Sequence, residues 1–388
     1  MRFLIHIPQL IYGGAEKVLV DFANYLVKKG HEVEILETYD RGLLKPQFDK
    51  RVRFNVICSK EYTKKYYASL VDITTDKSLI GKIVKIGKLA FSKIVGYRRF
   101  AERLTAGYYK NKYYDVAINY LELENPKFIL NNINANKYFQ WIHIDAERLA
   151  PGEHDKYAKV YEKMDGVVCV SETAKQALIK LYPSLKDKAH VIYNFFNTDL
   201  IKKKSDDCVK LDNSTFSILS IGRMVEQKGY LRAMDVINRL AREGYKFKWT
   251  IIGDGGDKQE IENKIRIYGI EDKVELLGLK DNPYPYIKTC DLFFLPSLYE
   301  GFPTVTIEAK VLNKPVLATE VSGIHEQIED GKNGIIVENS EIGIYQGLKK
   351  FLDEPMLLKK LSDNSGMQKV LDNDMKYEKF MGFYKNRI

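Results

Sequence analysis

The sequence predicts an α/β chain of two parallel-sheet domains facing one cleft. Three observations carry this. Short apolar β-type runs alternate with helical stretches along most of the chain, the pattern of a parallel sheet covered on both faces. The alternation stops and begins again near the middle of 388 residues, a length that suits two domains better than one. The glycine- and charge-bearing motifs follow the apolar runs, where open parallel sheets bind ligands beyond the carboxyl ends of their strands.

In order, Arg2 to Ile7 reads as a strand, Gly13-Gly14 as a turn, and about Ala15 to Lys29 as a helix stopped by Gly30. Val33–Glu37, Asp115–Asn119, Tyr138–Ile142, Gly166–Val170 and Val191–Tyr193 read as further strands. The polar, lysine-rich stretch Thr198 to Asn213 reads as the linker. The second series runs through strands Phe216–Ile221, Phe247–Ile252, Val274–Leu277, Leu292–Leu295, Pro315–Ala318 and Ile335–Val337, with a helix from about Tyr230 to Arg242. Residues 1–198 and 199–374 are the expected domains. Tyr377, Phe380, Met381 and Tyr384 recur at helical spacing, so about 375–388 is a helix with one buried face.

The charge is uneven. Lys60 to Tyr114 holds 13 Lys or Arg against four Asp or Glu, which equals the net charge of +9 for the whole chain. A local anionic partner fits this better than a generally cationic protein. Cys58, Cys169, Cys208 and Cys290 are scattered, without metal-ligand spacing, which fits a reducing compartment. The apolar run at the N-terminus is soon broken by Pro8, and no long apolar stretch follows, so a cytoplasmic location is expected.

Four motifs carry chemistry. In Pro296-Ser297-Leu298-Tyr299-Glu300-Gly301-Phe302-Pro303-Thr304-Val305-Thr306-Ile307-Glu308-Ala309, a helix should begin near Thr304 and point its free N–H groups and positive dipole end into the cleft, a ready site for phosphate. Glu308, a turn inside, suits a vicinal diol such as ribose; Glu300 sits nearer the sugar end. In Ile221-Gly222-Arg223-Met224-Val225-Glu226-Gln227-Lys228-Gly229, Arg223 and Lys228 suit a diphosphate. Gly13-Gly14-Ala15-Glu16-Lys17 allows close backbone approach and positive φ; it is not GxGxxG, which argues against NAD. Trp141-Ile142-His143-Ile144-Asp145 ends a strand at the cleft edge.

Two glutamates eight apart around Gly-Phe-Pro resemble the signature of retaining glycosyltransferases of GT-B architecture, the large family four group. The resemblance covers nearly the whole chain and is weak between about Lys60 and Asp115. It implies two Rossmann-like domains facing a central cleft, a first domain for the acceptor and a second for a nucleotide-sugar donor, with the C-terminal helix packed back on the first. It places Gly14, Gly222, Arg223, Lys228, Gly253, Gly255, Gly301, Phe302, Pro303, Thr304, Val305 and Glu308 on the donor. Glu300 and His143 fall on the transferred sugar, and Gly13, Glu16, Asp145 and Asn194 on the acceptor side. Arg223 and Lys228 would stabilise the departing diphosphate, so no metal or other cofactor is expected. The implied transfer is front-face, with Glu300 as nucleophile in a double displacement as the other route. UDP is the commonest carrier in the family. Phe195-Phe196 follow Asn194 where many relatives carry glycine.

Lys77 to Val95 on a helical projection puts Leu79, Ile80, Ile83, Val84, Ile86, Ala90, Phe91 and Ile94 on one half and Lys82, Lys85, Lys88 and Lys93 on the other. This predicts docking of about 77–103 on an anionic membrane, on the inner face of the cytoplasmic membrane, near a lipid-linked or growing glycan acceptor. Two rivals stand beside this: another enzyme on the same architecture, such as a pyridoxal-dependent phosphorylase or an epimerase, and a non-catalytic binding protein. No RNP-type motif, zinc module or helix-turn-helix is evident, so nucleic acid is not expected.

Overall fold

A computed structural model describes residues 1–11, 13–58, 97–122, 126–144, 155–209, 215–362 and 367–385. Two parallel sheets form. The first has seven strands: β1 Arg2–Ile7, β2 Glu32–Tyr39, β3 Arg53–Cys58, β4 Tyr113–Asn119, β5 Asn134–Ile142, β6 Gly166–Cys169 and β7 Ala189–Val191, in the order β3-β2-β1-β4-β5-β6-β7. The second has six: β8 Phe216–Ile221, β9 Phe247–Ile252, β10 Val274–Gly278, β11 Leu292–Leu295, β12 Val316–Thr319 and β13 Ile335–Val337, in the order β10-β9-β8-β11-β12-β13. The helices used below are α1 Gly14–Lys28, α2 Tyr97–Tyr109, α3 Thr198–Lys204, α4 Tyr230–Arg242, α5 Tyr284–Thr289, α6 Thr304–Val311 and α7 Asn373–Lys385.

The strands form where the apolar runs are longest. β1, β6, β11 and β12 are almost wholly buried, as strands covered on both faces must be. In each sheet the order reverses between neighbours: β1 beside β4, and β8 beside β11. Loops leaving adjacent strands diverge there and open a crevice. The loops after β1, β8 and β11 are three of the four motif segments. The fourth follows β5, one strand away from the switch point.

The structure corrects the sequence reading in several places. Strand β3 was missed. Thr198–Lys204 is not linker but α3, capped by the Asn197 side chain, which accepts from Leu200 N, and it packs on α5 and α6 of the second domain. Residues 210–213 of the expected linker lie outside the described residues. So does most of the predicted amphipathic segment, residues 77–96, and so does Asp145. The described end of that segment opens α2, where Arg98 pairs with Glu102 at 3.0 Å and Ala101 is buried.

The last helix belongs to the first domain's core. On α7, Phe380 is fully buried, with its ring 5.2 Å from Phe139, 5.3 Å from Trp141, 6.1 Å from Phe22 and 6.4 Å from Phe3. Asn136 of β5 also donates to Tyr384 Oη at 3.2 Å. Truncating so enclosed a ring leaves a cavity among other rings. Phe380→Ala is therefore expected to lower stability by about 3–5 kcal/mol, read as a shift in the denaturant midpoint. A loss below about 1 kcal/mol would mean that α7 is peripheral to the core.

Candidate active site

Between the sheets lies a cleft of about 380 Å³, lined from both halves. Its floor on the second domain is the β11–α6 connection. Glu300 is 8% exposed; its Oε1 accepts from Ser297 Oγ and from Lys228 Nζ, each at 2.6 Å. The loop thus carries a carboxylate fixed by one hydroxyl and one ammonium. Phe302 is buried and stacks on Tyr193, ring centroids 5.6 Å apart at 28°. That contact joins the β11–α6 loop to the segment where the chain leaves the first domain. Gly301 packs against the His143 carbonyl so closely that a Cβ would overlap it. Helix α6 starts at Thr304 after Pro303, and both line the cleft with Val305. The free N–H groups of its first turn face the space where an anion would sit.

The β8 loop supplies the cations. Backbone bonds Gly222 N to Ile252 O (3.0 Å) and Met224 N to Asp254 O (2.8 Å) tie it to the β9 loop. Arg223 is exposed at the rim and lines the cleft, and its charge acts on Glu16 across it. Lys228 lines it too but is engaged by Glu300. Gly253 lines the cleft; Gly255 does not, being packed against the Met224 backbone.

From the first domain, Gly13 and Gly14 line the cleft, but neither adopts positive φ. Gly13 is extended at φ −147°, and a Cβ on Gly14 would lie 3.4 Å from Thr304 Oγ1. The need for glycine at Gly14 is close approach to the opposite domain, not a left-handed turn. Glu16 folds back over Gly13 and does not line the cleft; burial raises its carboxyl pKa. Its neighbour Lys17, to which the sequence assigned no role, does line it and bonds to Glu308 Oε1 at 2.6 Å. Asn194 lines it as well, its carbonyl accepting from Lys376 Nζ at 2.8 Å. Sequence reasoning also missed Gln47, on the short 3-10 helix Lys45–Gln47, and Leu279 and Lys280, on a loop without a motif. Ser171, after β6, caps the helix that follows: its Oγ accepts from Ala174 N at 3.0 Å.

His143 sits at the end of β5, 9% exposed, its ring 4.7 Å from Tyr120. Burial pushes its pKa down to about 3, against a hydrogen bond to the Tyr120 backbone. The ring is neutral at working pH. Its Nε2 is buried without a partner among the described residues, so the bond to Tyr120 uses Nδ1–H and leaves Nε2 a lone-pair acceptor. The His143 N–H in turn donates to Glu122 Oε2 at 3.1 Å.

Glu122 is 4% exposed, and burial pushes its carboxyl up to about 7 from an ordinary 4.5. The folded state therefore binds this proton more tightly than the unfolded one. The stabilisation is complete below pH 4.5 and is lost as pH rises through about 7, a change of roughly 3 kcal/mol. Glu122→Gln should flatten the fall in stability between pH 5 and 8 by most of this amount. Asp21, raised by burial to about 6, keeps a remainder. An unchanged slope in the variant contradicts the assignment.

With this geometry in place, the chain can be set beside known proteins. Residues 202–366 match the family model described as "Glycosyl transferases group 1". The chain is 32% identical over 202 residues to an N-acetylgalactosamine-N,N'-diacetylbacillosaminyl-diphospho-undecaprenol 4-alpha-N-acetylgalactosaminyltransferase of Campylobacter jejuni, covering 52% of this chain and 54% of that protein. It spans about half the length of this and two other leading curated relatives. Its fold is shared with Anabaena Alr3699/HepE solved in complex with UDP (TM-score 0.73, 17% identity, all of both chains). It is shared equally with S. aureus TarM solved with fondaparinux, alpha-GlcNAc-glycerol and UDP (TM-score 0.76, 15% identity, 99% of this chain and 100% of that one). Two Rossmann-like domains facing a cleft in this manner are the GT-B fold.

Proposed function

We propose, from the match of residues 202–366 to glycosyl transferases group 1, that the chain moves a hexosyl or N-acetylhexosaminyl group from a UDP-sugar to a glycan or lipid-linked acceptor with retention of configuration. The observation that carries this reading is the convergence on one seam of Arg223, Lys228, the amino end of α6, Glu300 and Glu308. Two cations and a helix N-terminus suit a diphosphate; carboxylates on either side suit a ribose and a sugar. HepE and TarM, which share the fold, were solved with UDP.

In this reading the diphosphate lies against the first turn of α6. As the bond from C1 to the phosphate oxygen breaks, charge builds on the diphosphate, and Arg223, Lys228 and the N–H groups of Thr304 and Val305 take it up. The acceptor oxygen bonds to C1 from the same face and passes its proton to the departing phosphate oxygen. Glu300, held by Ser297 and Lys228, faces the positive charge developing at C1. His143 accepts a hydrogen bond from a sugar hydroxyl at Nε2. The Arg223–Lys228 pair fills the part a divalent metal plays elsewhere, so turnover is metal-independent.

The test is a screen of the purified protein with UDP-glucose, UDP-galactose and UDP-N-acetylglucosamine in the presence of EDTA, following UDP release with and without glycan acceptors. Slow hydrolysis of at least one donor supports the proposal. Absence of binding and turnover with every sugar nucleotide tried removes it.

The acceptor belongs with the basic segment. No helix among the described residues is long and apolar enough to cross a membrane. The charge pattern of residues 77–103 supports instead a peripheral position on an anionic cytoplasmic surface, each basic residue near the surface adding about 1 kcal/mol. Flotation at low salt is expected with anionic liposomes and not with neutral ones, and is lost when Lys82, Lys85, Lys88 and Lys93 become glutamine. Equal failure with both liposomes removes the membrane reading and leaves the transfer reading intact.

A further inference from the structure

The carboxylate proposed for the ribose is already held from the other domain. Lys17 stands on α1 of the first domain, yet its Nζ donates to Oε1 of Glu308 on α6 at 2.6 Å, between residues 291 positions apart. Glu308 is 2% exposed, and its second oxygen, Oε2, is buried with no hydrogen-bond partner among the described residues. Both side chains line the cleft. Lys17 is fixed in turn: its Nζ lies 4.8 Å from the Tyr284 ring centroid. Burial alone would lower its pKa, but Glu308 and Tyr284 outweigh burial and hold the ammonium's proton above the usual range.

A buried carboxylate oxygen without a donor is costly, and native structures seldom leave one so unless a ligand or water completes it. Here one oxygen is satisfied by the opposite domain while the other, on a residue that lines the cleft, has no donor among the described residues. Asp21 is close enough for Glu308 to raise its pKa and Lys17 to lower it. Without the lysine, two carboxylates would face each other, and Glu308 would have reason to turn away or take up a proton.

We propose that Lys17 is a positioning residue for nucleotide recognition: it holds Glu308 by Oε1 and thereby presents Oε2 to a ribose hydroxyl. The inference rests on the nucleotide-sugar reading above and extends it. The first domain, expected to serve the acceptor, contributes to recognition of the nucleotide. Ribose selectivity then depends on the two domains being together, because the lysine and the carboxylate it orients stand on different ones.

Calorimetry with UDP and 2',3'-dideoxyuridine diphosphate on wild type, Lys17→Met and Lys17→Arg separates the possibilities. The wild type should prefer UDP by about tenfold to a hundredfold, the scale of a hydrogen bond to a charged group. Lys17→Met should lose that preference, binding both ligands about equally, and Lys17→Arg should keep most of it. Lys17→Gln is read the same way if the methionine variant does not fold. A folded Lys17→Met protein that keeps the wild-type preference overturns the inference, as does one weakened equally toward both ligands, which is the mark of a purely structural strut. A wild type that binds neither ligand instead overturns the nucleotide reading on which the inference rests.

Discussion

Replacing Glu300 with alanine is expected to lower kcat about a hundredfold to a thousandfold, the scale for one preorganised electrostatic group at a reacting centre, while UDP affinity stays within a few fold of wild type. The two halves of this expectation have one structural cause. Ser297 and Lys228 both converge on Oε1 of Glu300, so the carboxylate is held in place before a donor arrives. Its loss removes an interaction that strengthens only as positive charge develops at C1. It also releases Lys228, whose ammonium then has no carboxylate to leave before meeting the diphosphate. Nucleotide binding therefore has no reason to fall. Collapse of UDP binding in a folded Glu300→Ala protein would show that Glu300 serves the nucleotide and not the sugar.

The Arg223→Ala/Lys228→Ala double variant should behave in the opposite way. Both cations stand on the segment after β8 and line the same cleft as the amino end of α6. Both would act on the diphosphate in the ground state and more strongly as it leaves. UDP affinity and kcat should fall together, with kcat/KM down by about a thousandfold or more. The single variants should not sum to the double, because groups acting on one leaving diphosphate act as a unit. Lys228→Ala should also disturb Glu300, which loses one of its two hydrogen-bond donors among the described residues. Its kcat deficit should therefore exceed its loss of UDP affinity, whereas Arg223→Ala should lose the two in proportion. Unchanged UDP affinity in the double variant would place the diphosphate elsewhere.

What the sequence made legible followed from strand ends. An apolar run that stops at glycine and polar residues locates a loop at the carboxyl edge of a sheet, so the sequence alone puts Gly222–Lys228 and Glu300–Glu308 on one cleft. The missed strand β3 has a different character. Arg53–Cys58 is an edge strand whose first four residues are exposed or half-buried, and charged residues precede it, so its apolar signal is weak. Helix α3 hid inside a lysine-rich stretch read as linker, although Asn197 offered a readable cap. Lys17 lay inside a quoted motif, and its pairing with Glu308 was still invisible. A contact between residues so distant in sequence exists only once both sheets have formed and faced each other. The loop bearing Leu279 and Lys280 follows a register shift near the end of β10, which no residue pattern announces.

The His143–Glu122 pair shows a further limit. The histidine was found because it ends an apolar strand. Its tautomer, and the buried carboxyl at its backbone N–H, depend on Tyr120 and Glu122 from the neighbouring β4 connection. Spacing along the chain carries no such information; register between strands does. The same holds for α7, whose Phe380 could be placed on a buried face by its spacing, while its seat against Phe139 and Trp141 is a property of the folded sheet.

Calorimetric titration of UDP into the intact chain, with and without Arg223→Ala, tests the central claim most directly. The account predicts one UDP bound per chain, competed by the donor sugar nucleotide and weakened at least tenfold by the substitution. The absence of UDP binding, or binding that Arg223→Ala leaves untouched, would contradict it.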